Sequence, residues 1–381
     1  MRILIVNTLY YPYKVGGAEV SVRLLAEALV KVGNEVTVVS IHEHKIEKRD
    51  LINGVNVIYL PYSNIYWQFG KEKNGMFSRL AWHFLDNYNF LVKDKINDII
   101  TEFNPDIVHT NNLSGISVAI WDVAKKHNCK IVHTSRDYYL LHPNCKMYKD
   151  DKDMQDNDIS VKIWSFIKKW KSKHVNVYVG ISDYIKNRHL KAGFFPKANT
   201  ITIYNAVEGD ENINLQLEVG EQKIQNIGFI GRLTKEKGFD IFCELAKKNK
   251  NKKFIAAGEF ENNNDGLREL AEACGVELLG HYPVIQFMQK IELLVLPIKW
   301  QEPFGRVVIE GITAGKSILT NKVGGITELA NILPNIYFFE DISNLDDVPK
   351  YKNILSDSFK IFTSKSVANE YLKVYKGLSH G

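Results

Sequence analysis

Lys299-Trp300-Gln301-Glu302-Pro303-Phe304-Gly305-Arg306-Val307-Val308-Ile309-Glu310-Gly311 is the stretch on which the fold of this chain turns. It follows Leu293-Leu294-Val295-Leu296-Pro297-Ile298, an apolar run that reads as a buried strand closed by Pro297. Pro303 favours a first helical turn, Val307, Val308 and Ile309 carry the helix to Gly311, and Gly315 is a stop signal. A strand, a short loop and a helix place the backbone N–H groups near Phe304, Gly305 and Arg306 at a helix N-terminus. Donors and helix dipole both favour an anion there.

Glu302 and Glu310 flank this anion position. Along a helix rising ~1.5 Å per residue they stand roughly 10 Å apart. Retaining glycosidases need carboxyls ~5 Å apart, so that chemistry does not fit, while an inverting pair stays open on distance alone. The spacing suits a ligand with hydroxyls at both ends and a diphosphate between them, as in a nucleotide sugar. An isolated Glu pair would read as solvated side chains on an amphipathic helix.

A second cluster shifts that balance: Gly228-Phe229-Ile230-Gly231-Arg232-Leu233-Thr234-Lys235-Glu236-Lys237-Gly238. Ile227 to Ile230 are strand-like and the next helix begins near Phe239, so Arg232 and Lys237 fall in a strand-to-helix loop, where open α/β sheets bind ligands. The Arg fork and the Lys point charge can together neutralise a departing diphosphate. Alone, Lys235 and Lys237 read equally well as solvated surface residues.

Gly231-Arg232 with Lys237-Gly238, Glu302-Pro303-Phe304-Gly305 with seven residues between Glu302 and Glu310, and Gly324-Gly325 with Glu328 together resemble the retaining glycosyltransferases of family 4. The resemblance spans most of the chain and is specific in its second half. It implies an α/β protein of GT-B fold, two facing Rossmann-like domains with parallel sheets and an interdomain cleft. It further implies that Arg232 and Lys237 bind the donor diphosphate, Glu302 the donor-sugar hydroxyls and Glu310 the ribose. The amides near Phe304, Gly305 and Arg306 assist, as do Gly324-Gly325. The departing phosphate itself takes the acceptor proton, and no metal or other cofactor is needed. The expected substrate is a UDP- or GDP-linked sugar, and the activity a hexosyl-type transfer to a saccharide or lipid-linked acceptor of bacterial surface polysaccharide. A sugar-nucleotide epimerase or a non-catalytic nucleotide-sugar-binding subunit of the same fold are the alternatives.

A chain of 381 residues with 45% hydrophobic and 24% charged residues suits two soluble domains. No apolar run approaches the ~20 residues of a membrane span. Met1 to Asn7 reads as a first strand rather than a signal peptide, so a cytoplasmic location is expected. Residues 1–200 hold 28 Lys and Arg against 20 Asp and Glu, and the remainder 21 against 24. A basic first domain fits an anionic membrane surface at the inner face of the cell membrane or a phosphorylated acceptor, and equally an ordinary surface. Nucleic acid is not an expected partner. Cys129, Cys145, Cys243 and Cys274 have no paired spacing.

In the first half, Arg2 to Thr8 reads as a strand and Glu19 to Val30 as a helix with Val22, Leu25, Ala26 and Leu29 on one face. Gly16-Gly17 before that helix permits close approach of a ligand, and by resemblance approaches the donor diphosphate from the acceptor side. The loop lacks the glycine fingerprint of a nicotinamide enzyme. Further strands are expected at Glu35–Ser40, Val55–Leu60, 106–109, 130–133, Tyr178–Ser182 and Thr200–Tyr204, and a mostly helical Phe77–Phe103. Their alternation with helices predicts doubly wound parallel sheets.

His109, Arg136 and Asp137 fall at strand ends and are the acceptor-side candidates. For His109 alone, a hydrogen-bonded packing role is favoured. Arg136 stands where the family commonly has His. It cannot act as a base at neutral pH but can hold a phosphate or carboxylate. Asp151-Lys152-Asp153 spells the DxD metal motif but, with no strand leading into it, reads as a solvated charged loop. Val161 to Lys171 is aromatic, basic and helically spaced. It suits a membrane surface or, the preferred expectation, a helix burying Ile163, Phe166, Ile167 and Trp170 against its own domain. The expected division is 1–205 with a returning helix 360–381, a linker 206–225, and 226–359.

Overall fold

The computed structural model describes residues 1–13, 16–70, 74–208, 224–261, 266–352 and 356–379. Most of the expected linker, residues 209–223, lies outside them. The chain divides into two compact units: Met1–Met147, Met154–Ala206 and Ser364–Gly381 form the first, Tyr148–Asp153 and Val207–Thr363 the second.

The first unit runs β1 (Arg2–Val6), α1 (Gly17–Lys31), β2 (Glu35–His42), β3 (Lys48–Ile52), β4 (Val55–Pro61), α2 (Met76–Asn87), α3 (Lys93–Phe103), β5 (Ile107–Thr110), α4 (Ala119–Lys126) and β6 (Lys130–Ser135). A short hairpin, β7 (Tyr148–Lys149) and β8 (Lys152–Asp153), belongs to the second unit. The first unit resumes with α5 (Ile159–Lys171), β9 (Val177–Gly180), α6 (Asp183–Lys191) and β10 (Asn199–Thr202). Its eight strands lie in the order β10-β9-β6-β5-β1-β2-β4-β3, all parallel except the edge strand β3. The order reverses between β1 and β5. Ile3, Leu4, Ile5 and Val6 are all fully buried. A strand covered on both faces reads as a continuous apolar run for this reason.

The second unit runs β11 (Asn226–Ile230), α7 (Phe239–Lys248), β12 (Lys253–Ala257), α8 (Leu267–Ala273), β13 (Glu277–Leu278), α9 (Val284–Met288), β14 (Leu293–Leu296), α10 (Arg306–Thr313), β15 (Ser317–Thr320), α11 (Gly324–Ala330), β16 (Ile336–Phe338) and α12 (Ser356–Lys360). Its six strands are parallel in the order β13-β12-β11-β14-β15-β16, reversing between β11 and β14. The ring of Phe242 packs 5.4 Å from Phe229 and 5.3 Å from Phe254, tying α7 to β11 and β12.

The chain ends its described part with α13 (Ser364–Ser379), which is part of the first unit. Val367, Ala368, Tyr371 and Tyr375 of α13 share one core with Val22, Leu25, Ala26 and Leu29 of α1.

Several boundaries differ from expectation. Phe77–Phe103 is two helices, because Tyr88 leaves the helical conformation and the extended Asn89 caps the following turn by accepting from the Leu91 amide. The helix after Glu302 starts only at Arg306 and runs through Gly311 to Thr313. Pro303 therefore lies in the loop, and helical rise does not set the Glu302–Glu310 separation.

Candidate active site

Parallel strands deliver their outgoing loops to one edge of the sheet, and the strand-order reversal leaves room there. In the second unit the loops leaving β11 and β14 meet at this point. Gly238 has φ +78°, and a Cβ there would stand 1.8 Å from the Pro297 carbonyl oxygen. Gly324, with φ +50°, would place a Cβ 2.1 Å from the Glu302 carbonyl oxygen. Only glycine lets the loops leaving β11, β14 and β15 approach so closely.

Charged side chains follow the backbone. Lys237 Nζ lies 2.6 Å from Glu302 Oε2, with side chains 20% and 15% exposed, and also sits 5.0 Å above the Trp300 ring. Arg232 pairs with Glu261 at 2.6 Å, and Arg306 with Glu310 at 2.7 Å. Lys299 reaches Asp240 at 2.6 Å. Arg232, Lys237, Glu302, Arg306 and Glu310 are thus carried by two neighbouring loops and the first turns of α10. Gly305, with φ +100°, caps that helix, and Phe304 is 2% exposed against Phe362, ring centres 6.2 Å apart.

Gly324 and Gly325 correct the expectation of amides presented to phosphate. The Gly324 amide donates to Gln301 Oε1 and the Gly325 amide to the Glu302 carbonyl, both at 2.8 Å. They brace the Glu302 loop instead. Gln301, absent from the candidate residues, makes a second link by donating to Asp153 Oδ2 at 2.8 Å. Asp153 is therefore half-buried in the second unit rather than part of a purely solvated loop, and Asp151 lies 3.8 Å from Lys299. Among the described residues no group of three or more His, Cys, Asp or Glu is placed to hold a metal ion.

The first unit has its own polar strand ends. Gly16 is extended rather than left-handed, and its amide donates to Glu19 Oε2 at 2.8 Å in a capping box. That amide is thereby taken up by the Glu19 carboxylate. Arg136 is 7% exposed, its Nε donating to Asn111 Oδ1 at 2.9 Å and its Nη1 to Asn205. It ties the ends of β5, β6 and β10 together. Asp137 accepts from the Tyr139 amide at 2.8 Å, and burial, reinforced by Glu19, raises its carboxyl to about 6.

His109 is not a ligand contact. It is fully buried, Nε2 bonded to Thr134 Oγ1 at 2.8 Å and Nδ1 to the Tyr375 hydroxyl at 2.7 Å. Burial, reinforced by Arg136, holds its pKa well below the ordinary value. The imidazole is a neutral packing element that locks α13 to β5 and β6.

Deeper in the same unit, Lys168 is 1% exposed and donates to the Tyr139 carbonyl at 2.7 Å. Burial lowers it to about 8 and raises Asp86 to about 6, and each one's charge opposes the other's shift. Nothing in the sequence marks this cluster, because Asp86, the Asp137–Tyr139 stretch and Lys168 come from three separate segments.

The model of glycosyltransferase family 4 matches residues 15–211, and that of glycosyl transferases group 1 matches residues 211–343. The chain belongs to glycosyltransferase family 4. It is a glycosyltransferase with two Rossmann-like domains of the GT-B kind. A 42.6 kDa protein of the cps region of Klebsiella pneumoniae is 57% identical over 377 residues, covering 99% of this chain and 100% of that protein. A glycosyltransferase of Methanocaldococcus jannaschii is 25% identical over 86% of this chain and 82% of its own length. Among solved structures, Anabaena HepE in complex with UDP and glucose superposes with a TM-score of 0.67 at 16% identity, covering 99% of both chains. Sucrose-phosphate synthase of Thermosynechococcus elongatus gives 0.66 at 14% identity over 99% of this chain and 96% of that one.

Proposed function

We propose that this glycosyltransferase takes a sugar from a UDP- or GDP-sugar and transfers it, with retention of anomeric configuration, to a saccharide or lipid-linked acceptor of bacterial surface polysaccharide. The observation that carries this reading is the Lys237–Glu302 pair, 2.6 Å long, at the sheet edge where the strand order reverses. A cation and a carboxylate held together there are matched to the two sides of the donor's sugar–phosphate bond. As the sugar–phosphate bond breaks, negative charge grows on the diphosphate and positive charge on the sugar ring. Arg232 and Lys237 stabilise the first, and Glu302 binds hydroxyls of the second, so both act where charge develops. Glu310, oriented by Arg306 one turn earlier in α10, has the remaining hydroxyl-binding role on the ribose. No side chain need act as base if the departing phosphate oxygen accepts the acceptor's proton. With two cations on the diphosphate, transfer proceeds without a metal or other cofactor. The Anabaena structure bound to UDP and glucose, and the cps-region relative, support the donor class and the setting. That setting fits an enzyme that works in the cytoplasm, at the inner face of the membrane.

Thermal shift with UDP-, GDP- and ADP-sugars tests the donor, since binding raises the unfolding temperature by mass action. The product of the responding donor should keep the donor's anomeric configuration by NMR. An inverted product would refute retention, and donor consumption without any acceptor would favour an epimerase.

A further inference from the structure

Helix α5 packs the opposite way from its expected orientation. Its buried residues are Val161, Ser165 and Lys168, while Ile163, Phe166 and Trp170 are 56%, 71% and 55% exposed. The rotation is fixed from inside: the Lys168 ammonium lies 3.8 Å from the Tyr139 ring centre and bonds that residue's carbonyl at 2.7 Å. Helix α2 repeats the arrangement. Trp82 anchors it, 3% exposed with Nε1 donating to the Tyr66 carbonyl, while Met76, Phe77 and Phe84 are 76%, 82% and 60% exposed. The Phe84 ring lies 5.1 Å from that of Trp164 on α5, so the two apolar stripes join into one surface. Scattered single apolar residues are ordinary on a protein surface. A contiguous patch on two neighbouring helices is not.

The charge along α5 itself has one sign. From Ile159 to Lys173 there are five Lys and no Asp or Glu. Lys162 and Lys169 are exposed on α5, as is Arg79 on α2. The acid facing α5 from α4 is Asp122, and it is taken up by Lys171 at 2.5 Å and His174 at 3.4 Å.

We propose that α2 and α5 of the first unit together form a docking surface for an anionic lipid bilayer. Phe77, Phe84, Phe166 and Trp170 enter the headgroup–acyl boundary, and Lys162, Lys169 and Arg79 meet the headgroup phosphates. An apolar patch with a cationic border matches a partner that is apolar in depth and anionic at its rim. The helices lie on the membrane: they have 12 and 13 residues, and among the described residues no helix is long and apolar enough to cross one. The surface goes beyond the donor chemistry and requires no particular sugar or acceptor.

Sedimentation of the full chain with phosphatidylcholine vesicles, with and without phosphatidylglycerol, tests this. Binding to the anionic vesicles should be at least about tenfold stronger. Phe77→Ser and Phe166→Ser should each weaken it by about tenfold, with unfolding temperature and donor-induced thermal shift unchanged because both side chains are exposed. Lys162→Gln with Lys169→Gln should reduce the preference for phosphatidylglycerol. Absence of wild-type binding to either vesicle, or wild-type binding by both Phe variants, would overturn the proposal. So would lipid-free self-association abolished by Phe166→Ser, which would give the face to a second copy of the chain. Each readout is independent of sugar transfer, so failure here leaves the donor reading standing, and the reverse also holds.

Discussion

Lys237 and Glu302 meet although 65 positions separate them in the chain. Lys237→Ala should lower turnover by ~10²-fold or more, the usual loss when one preorganised transition-state group is removed. Arg232→Ala should do the same. Near-normal turnover of either variant with its donor would remove that residue's role. Lys168 has a different kind of importance. Burial raises Asp86 and Asp137 from 3.8 to about 6. Their contribution to stability is therefore complete at low pH and is lost as pH rises through 6. Lys168 is lowered from 10.5 to about 8, so its contribution is complete in alkali and is lost as pH falls through 8. Between those limits the buried charges support one another. Lys168→Met leaves Asp86 and Asp137 without their cation, so it should destabilise the protein more at pH 7 than at pH 5, where both carboxylates are largely protonated. Denaturant titrations at both values check this, and equal losses would refute an electrostatic role. The placement of Arg232, Lys237, Glu302 and Glu310 in strand-to-helix loops and at the start of α10 was legible because their spacing relative to strand and helix signals is local. The hydrogen-bonded role favoured for His109 was legible too, though its partner Tyr375 was not, and the bonds of the Gly324 and Gly325 amides were missed because Gln301 and Glu302 lie elsewhere in the chain.

The loop Lys299–Glu302 is held along its length. Lys299 reaches Asp240, Gln301 bridges Asp153 and the Gly324 amide, and the Lys299 amide donates to the Glu236 carbonyl at 3.0 Å. Gln301→Ala removes both side-chain links, and kcat/KM should fall about tenfold through misplacement of Glu302. Asp153→Asn keeps an acceptor oxygen and should change it by less than about threefold. A Gln301→Ala enzyme with wild-type kinetics would mean that the backbone alone positions the loop. Gly238→Ala combines left-handed backbone strain of about 1–3 kcal/mol with a clash against Pro297, so a clear fall in Tm is expected. The parallel strands were readable as apolar runs between turn signals. Strand β3, Lys-Arg-Asp-Leu-Ile, was not, because at an exposed sheet edge it has no apolar face to show. The orientation of α5 was misread for a related reason. Helical spacing defines a face but does not say which face goes inward, and here a buried ammonium with nearby carboxylates settles the rotation.

For the whole molecule, the division into units was expected near residue 205, and the observed first unit includes residues up to Ala206 together with Ser364 onward. The return of the last helix came from family resemblance; its physical basis is the burial of Val367, Ala368, Tyr371 and Tyr375 in the core of the first unit. The transfer of Tyr148–Asp153 to the second unit had no sequence signal, since the pairing partner of Asp153 lies 148 positions further on. Deleting residues 364–379 should therefore unfold the first unit and spare the second. Calorimetry should show one surviving transition from residues 207–363, and an unchanged two-unit profile would show that α13 is dispensable.

That closing helix also sets an order of events during synthesis. Residues 1–206 leave the ribosome with the seat for Tyr371 and Tyr375 vacant, and the 207–363 segment is translated before Ser364 appears. At ordinary elongation rates the delay is on the order of 10–30 s. The nascent first unit must spend that interval with an apolar seam open, so the unit begun first is the one completed last.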